Sequence, residues 1–240
     1  MEKQVRYSVV VPLKNEEDNI QELIDELKPI MLGLGEPWEL ICIDDGSSDN
    51  TLEILKKLSP LHPELRIIVF DKNYGQSSAF DAGFKCARGD LIITMDGDRQ
   101  NDPADIPKLL AAATDVDLVC GARINRQDPW IKKITSRIAN FVRSRVCCDN
   151  VQDTGCSLKV YRTSAAQKIK MFNGMHRFLP ALFLIEGFRI KEIPVSHRER
   201  VKGQTKYNFF NRSFNTISDM FAVRWMHQRH LHYQIDKESP

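Results

Sequence analysis

The sequence has 240 residues, a formal net charge of +2 and 42% apolar residues. That length suits one large domain or two small ones, and the apolar share is enough for a sizeable core. Bulk charge so close to balance argues neither for nor against nucleic acid, while the longest apolar stretch, FLPALFLI at 178–185, falls far short of the roughly 20 residues that span a bilayer.

The opening residues enter a strand within six positions and contain no signal-peptide core, so a soluble or membrane-peripheral chain is expected. Strand and helix then alternate. YSVVVPL (7–13) reads as a strand, and 15–34 as a helix through Ile20, Leu23, Ile24 and Leu27. WELICIDDG (38–46) is a second strand, followed by a helix at 49–58 with Ser48 or Asp49 as its cap. LRIIVFD (65–71), a helix at 76–87, DLIITMD (90–96), a helix from Pro103 to Ala113 and DLVCGAR (117–123) complete the first half. The second half is less regular. A basic amphipathic helix is expected at 129–146, a loop running into a strand at 152–162, a buried helix at 177–187 and a strand at 188–200. A last helix at 208–226 aligns Phe210, Phe214, Ile217, Phe221 and Trp225, with a polar tail beyond. None of the six cysteines forms a C-x-x-C pair. Cys42, Cys86 and Cys120 are expected to be buried thiols and adjacent Cys147 and Cys148 not to be a redox pair, a pattern that fits a reducing cytoplasm.

Short apolar strands alternating with helices imply an α/β fold whose parallel sheet is covered on both faces, with ligands outside the carboxyl ends of the strands. The polar clusters fall there: 12–16, 44–48, 71–76, 96–100 and 121–123. In Asp96-Gly97-Asp98, two carboxylates share one strand end and repel unless a cation or proton lies between them. Mg²⁺ or Mn²⁺ suits such oxygen ligands and leaves positions for phosphate, and Gln100 adds a neutral oxygen. Asp102, just before Pro103, reads as the cap of the next helix. No G-x-G-x-x-G follows the first strand, which weighs against a dinucleotide site and a redox role.

VVPLKNEEDNI, IDDGSSDNT, NYGQSSAFDAGF, GDLIITMDGDRQNDP and GQTKY stand in the order seen in family 2 glycosyltransferases. The chain resembles their polyprenyl-phosphate branch, which includes dolichyl-phosphate mannose synthases and bacterial undecaprenyl-phosphate glycosyltransferases. The resemblance implies a GT-A fold, with a Rossmann-like, mostly parallel central sheet and helices on both faces. It implies a domain over 1–207, with a nucleotide-sugar half at 1–125 and an acceptor half at 126–207. A C-terminal amphipathic helix and tail follow at 208–240. It implies an inverting transfer of a hexose from a UDP- or GDP-sugar to a polyprenyl phosphate, giving a β-linked monosaccharide. Pro12, Asn15, Glu16 and Asp44 resemble the nucleoside positions, and Asn73 and Gly75 the loop beside them. Asp96, Asp98 and Gln100 match the metal motif, with Asp98 and Gln100 as direct ligands and Asp96 near the ribose or the metal. Arg123 and Arg137 resemble the arginines that hold the lipid phosphate. Asp153 matches an acid of a partly altered loop and is a candidate general base, although a phosphate acceptor is already anionic and needs positioning instead. Arg200, Gly203, Thr205 and Lys206 resemble a basic loop that closes over the diphosphate.

A lipid acceptor implies a peripheral protein at the cytoplasmic face of a membrane. The 129–146 helix is expected to meet that surface. The 208–226 helix is open between membrane, partner and core, and a separate small membrane-protein partner is a further expectation. Nucleic acid is not expected as a partner, because the basic residues lie on one amphipathic helix without a recognition motif. Two rivals remain at this point. One is a transferase to a hydroxyl on a soluble or protein-bound acceptor. The other is a non-catalytic nucleotide-binding subunit of a membrane complex.

Overall fold

The computed structural model describes residues 4–123, 143–147, 149–198, 209–231 and 233, and the side chains of 209–215 are outside that description. Most of the expected 129–146 helix, together with Arg137, Cys148, Arg200, Gly203, Thr205, Lys206, Phe210 and Phe214, therefore lies beyond the described residues or side chains.

The strands are β1 (Tyr7–Leu13), β2 (Trp38–Asp44), β3 (Leu65–Val69), β4 (Leu91–Thr94), β5 (Leu118–Arg123), β6 (Lys159–Arg162) and β7 (Ile190–Val195). The helices are α1 (Ile20–Gly33), α2 (Thr51–Leu58), α3 (Gln76–Cys86), α4 (Ile106–Ala111), α5 (Thr163–Ala166), α6 (Leu179–Ile185) and α7 (Phe209–Arg229). The seven strands form one sheet in the order β3-β2-β1-β4-β6-β5-β7. β6 is antiparallel to both neighbours, and every other pairing is parallel. The sheet is thus mostly parallel and carries one reversed strand in its interior. That reversal matters for the site. It brings the segment entering β6 to the edge where β1, β2, β4 and β5 end.

Alternation along the strands builds a core on each side. Val9, Val11 and Leu13 of β1, with Leu40 and Cys42 of β2, pack on one face against Ile20, Leu23, Ile24, Leu27 and Met31 of α1. Val10, Ile41 and Ile43 point to the other face, where Phe80 and Phe84 of α3 and Phe183 of α6 lie. The spacing of the α1 residues is that of a helix with one apolar stripe, and full burial of each such side chain is worth about 1.5–3 kcal/mol. α3 comes closest to the sheet at Gly83, where an added Cβ would stand 2.3 Å from Val10 Cγ1. Gly83→Ala is therefore expected to cost about 2 kcal/mol through overpacking, despite alanine's better helix propensity. Urea denaturation checks this, and an unchanged midpoint would count against the close approach.

Several boundaries differ from the sequence expectation. α1 starts at Ile20 and not near Asn15, because residues 15–19 turn back onto the end of β2. The expected 103–113 helix divides into a 3₁₀ turn at Pro103–Asp105 and α4, and the 177–187 helix into a 3₁₀ turn at Met175–Phe178 and α6. Cys42, Cys120 and Cys147 are buried, whereas Cys86 is exposed at the last turn of α3, on the side away from the sheet. α7 buries Met220 and Val223 but leaves Ile217, Phe221 and Trp225 at 53%, 62% and 61% exposure. No helix among the described residues is long and apolar enough to cross a membrane.

Candidate active site at the strand ends

The site is assembled by hydrogen bonds that link successive strand ends. After β1, Asn15 takes a positive φ of 52°, which asparagine tolerates better than most residues. Its backbone N–H donates to Ser47 Oγ at 2.9 Å, and its Oδ1 accepts from the Ser48 N–H at 2.8 Å. The Glu16 N–H donates to Thr51 Oγ1 at 2.8 Å, and the Lys14 ammonium donates to the Gly46 carbonyl. Contrary to the expected Ser48 or Asp49 cap, Asn50 holds the N-cap of α2 and makes no side-chain cap bond, while Asp49, one residue earlier, accepts from the Thr51 N–H at 3.0 Å. Asp44 is buried and accepts from the Ser47 N–H at 3.1 Å. Asp45 spends both oxygens on backbone, accepting from the N–H groups of Tyr74 at 2.6 Å and Gly75 at 2.9 Å. Of the two adjacent acids, Asp45 therefore fixes the loop that carries Asn73 and Gly75. Pro12 ends the same edge of the sheet, paired in register with Ile43.

The turn after β4 is held as tightly. Gly97 lies under the end of β1, where an added Cβ would come 2.5 Å from Leu13 Cδ2 and 3.3 Å from Glu16 Cγ. A side chain at this position would have to displace the Leu13 side chain. Asp98 is nearly buried and accepts from the Gln100 N–H at 3.2 Å. Asp96 Oδ1 accepts from the Gln76 amide at 2.9 Å, and the Asp96 N–H donates to Asn101 Oδ1 at 3.0 Å. Asp102 caps the following turn as expected, accepting from the Ala104 N–H at 3.0 Å. Arg99, at φ 60°, points away toward Glu22 and Glu26 of α1. Arg198, just past β7, donates its backbone N–H to the Gln100 carbonyl at 3.0 Å and pairs with Glu26 and Asp102 at 2.5 and 2.8 Å. Arg198 is thereby tied to the Asp96–Asp102 turn.

Burial, and next the charge of Asp98, push the Asp96 carboxyl up to about 6, against the opposing pull of Ser157, Lys159 and Arg123. Two carboxylates that disfavour each other's ionisation are a fitting seat for a hard divalent cation. Among the described residues no group of three or more His, Cys, Asp or Glu side chains gathers to hold a metal. The pair would therefore need the Gln100 amide, water or donor phosphate to complete a coordination shell. Because the folded-state value of Asp96 lies above the ordinary 3.8, its contribution to stability is present below about pH 4 and lost as pH rises through about 6. A bound cation reverses that loss. The rise in melting temperature on adding Mn²⁺ is accordingly expected to be larger at pH 7.5 than at pH 5, and equal increments would argue against metal binding at Asp96.

Arg123 and Asp153 meet through the reversed strand. Asp153 Oδ2 accepts from Arg123 Nε at 2.6 Å and Oδ1 from an Nη at 2.8 Å, with the Arg123 backbone N–H at 3.2 Å. Burial alone would raise the Asp153 carboxyl, but the hydrogen bonds and charge of Arg123 outweigh it and hold the carboxyl below its usual range. Asp153 is thus the counter-ion of Arg123.

Beside Asp96 opens a cavity of about 120 Å³, lined by Gln76, Asp96, Lys159, His176 and Arg177 with an apolar floor. Lys159, His176 and Arg177 were not foreseen from the sequence. The one signal for Lys159 is its position in CSLKVY, where a cation interrupts an apolar run. His176 and Arg177 carry no signal, since their placement depends on how the turn before α6 folds back onto Ser77.

Residues 8–170 match the family described as glycosyl transferase family 2. The chain is 40% identical over 222 residues to the dodecaprenyl-phosphate galacturonate synthase of Rhizobium johnstonii. The match covers 90% of the chain and 65% of that relative, so the chain spans about two thirds of the relative's length. Among solved structures, glucosyl-3-phosphoglycerate synthase of Mycobacterium tuberculosis with Mn²⁺, UDP and phosphoglyceric acid superposes with a TM-score of 0.70 at 18% identity, covering 92% of this chain and 78% of that one. A Pyrobaculum calidifontis mannosyltransferase with GDP-mannose and Mn²⁺ superposes with a TM-score of 0.65 at 19% identity, covering 92% and 64%. At that identity the two structures speak for the fold.

Proposed function

The chain belongs to glycosyl transferase family 2, and from that membership we propose that it transfers a sugar from a nucleoside-diphosphate donor to a polyprenyl phosphate, with inversion at the anomeric carbon. The observation that carries this reading is the bidentate Arg123–Asp153 pair. A hydroxyl acceptor needs a base, and Asp153 is committed to an arginine that holds its basicity down. Among the described residues the only carboxylate lining the cavity is Asp96, which belongs to the metal motif. A phosphate acceptor arrives already anionic and needs cations and positioning instead. The 40%-identical relative is named for a product on a polyprenyl phosphate, which points the same way.

In this reading Pro12, Asn15, Glu16, Asp44, Asn73 and Gly75 form the nucleoside side of the site. Asp96, Asp98 and Gln100 would hold Mg²⁺ or Mn²⁺, which when bound neutralises the diphosphate leaving group. Arg200 and Lys206 follow the tethered Arg198 and add positive charge there. Arg123, oriented by Asp153, and Arg137 receive the acceptor phosphate for in-line attack through an oxocarbenium-like transition state. The 1–207 segment acts as the catalytic unit. The exposed Ile217, Phe221 and Trp225 of α7 meet the cytoplasmic face of a membrane or a small membrane-protein partner.

A panel of UDP- and GDP-sugars, offered with a short polyprenyl phosphate and Mn²⁺ and followed by mass spectrometry, tests the proposal. One donor should yield a lipid-phosphate monosaccharide. Consumption of no donor, or transfer only to hydroxyl acceptors, would overturn it.

A further inference from the structure

The cavity beside Asp96 contains a charge that the diphosphate site does not use. Lys159 is only 2% exposed. Its ammonium donates to the carbonyls of Cys156 and Thr154, the latter at 3.3 Å. No carboxylate among the described residues pairs with it, and Asp96 and Asp153 feel its charge only at longer range. A buried ammonium held only by carbonyls keeps a desolvation cost that an anion brought by a ligand would offset. Two more basic residues line the same cavity, and each is fixed from outside it. An Arg177 Nη donates to Thr216 of α7 at 3.0 Å, and His176 Nδ1 lies 2.7 Å from Ser77 Oγ. Phe80, Tyr161 and Leu179 supply an apolar floor, which strengthens ion pairing by excluding water.

A neutral hexose presents hydroxyl groups, each a donor as well as an acceptor. The charged groups of this cavity are mostly donors, and Asp96 is already engaged by Gln76. We propose that the cavity is the subsite for a donor sugar bearing a carboxylate, a hexuronic acid, and that Lys159 with Arg177 reads its C6 carboxylate. The proposal rests on the reading above that the chain uses a nucleoside-diphosphate sugar. With a neutral sugar in this place the Lys159 ammonium keeps only carbonyl partners among the described residues, and the carboxylate that a uronate would bring is the source of discrimination.

Calorimetry with Mn²⁺ and no acceptor tests it, using UDP-galacturonate against UDP-galactose and GDP-mannuronate against GDP-mannose. The uronate of at least one pair should bind at least about tenfold tighter than its neutral partner. Lys159→Met should weaken that uronate roughly 10–100-fold and leave the neutral sugar within about threefold. Arg177→Gln, a milder change, should narrow the preference about fivefold, and it keeps the test alive if Lys159→Met does not fold. The KM for polyprenyl phosphate should hold in both variants. Absence of a uronate preference in the unaltered protein would overturn the proposal. So would equal losses for both donors, which would make Lys159 a brace for the 153–157 loop. An effect confined to the acceptor KM would also overturn it and assign the charge to the acceptor phosphate. Donor binding is read without acceptor, so failure of transfer to polyprenyl phosphate would sink the proposed function alone.

Discussion

Asp98→Asn is expected to lower transfer about 10³-fold, equivalent to roughly 4 kcal/mol of transition-state stabilisation, while leaving the fold intact. The asparagine keeps an Oδ1 that accepts from the Gln100 N–H, so the turn retains its 3.2 Å contact. What it removes is one of the two negative charges at the end of β4. Half of the electrostatic attraction for a divalent cation goes with it, and the Asp96 carboxyl, no longer raised by its neighbour's charge, titrates at lower pH. The variant should therefore bind Mn²⁺ and nucleotide weakly and unfold within about 1 kcal/mol of the parent. Calorimetric Mn²⁺ titration with single-turnover assays separates the two effects. Retention of the full rate would show that the acids do not hold the catalytic metal.

Arg123→Met should destabilise the fold by about 3 kcal/mol, because it leaves Asp153 as an uncompensated carboxylate in a site where the two side chains are 17% and 13% exposed. Arg123→Met/Asp153→Leu should recover most of that loss, a coupling that chemical denaturation of the single and double variants would measure. Asp153→Asn tests the chemistry, and because it also weakens the pair with Arg123, turnover is compared on protein shown to be folded. The asparagine preserves the acceptor at one oxygen and removes the base. With a phosphate acceptor, turnover should stay within about tenfold, whereas loss of a general base would cost about 10²–10⁴-fold. A loss in that upper range would bring back the hydroxyl-acceptor reading.

The features that the sequence conveyed well are those written in short-range pattern. Strands β1 to β5 were legible because buried parallel strands read as apolar runs bounded by turn residues, and α1 because Ile20, Leu23, Ile24, Leu27 and Met31 recur at helical spacing. The capping role of Asp102 was legible because a cap acts within two residues. Where a segment is recruited by something distant, the pattern misled. Asn15 to Asn19 look like the first turn of a helix, yet Ser47 and Ser48 after β2 and Thr51 at the start of α2 supply better partners. The stripe on α7 is a helical periodicity that a core or a foreign surface would satisfy equally. Only the packed structure distinguishes buried Met220 and Val223 from exposed Ile217, Phe221 and Trp225.

Taken alone, the sequence determined the α/β architecture, the polar edge of the sheet formed by the strand ends, and the adjacent acids Asp96 and Asp98 on that edge. Each of these depends on residue type and near-neighbour spacing. The tertiary structure decided which charges meet. Asp153 pairs with Arg123 across 30 positions of chain, Asp45 holds a loop 29 positions on, and Lys159 enters the cavity beside Asp96. The physical reason is the reversed strand β6. Its antiparallel insertion between β4 and β5 carries the 153–159 segment back to the edge where the parallel strands end, and no local periodicity encodes a contact made by that return.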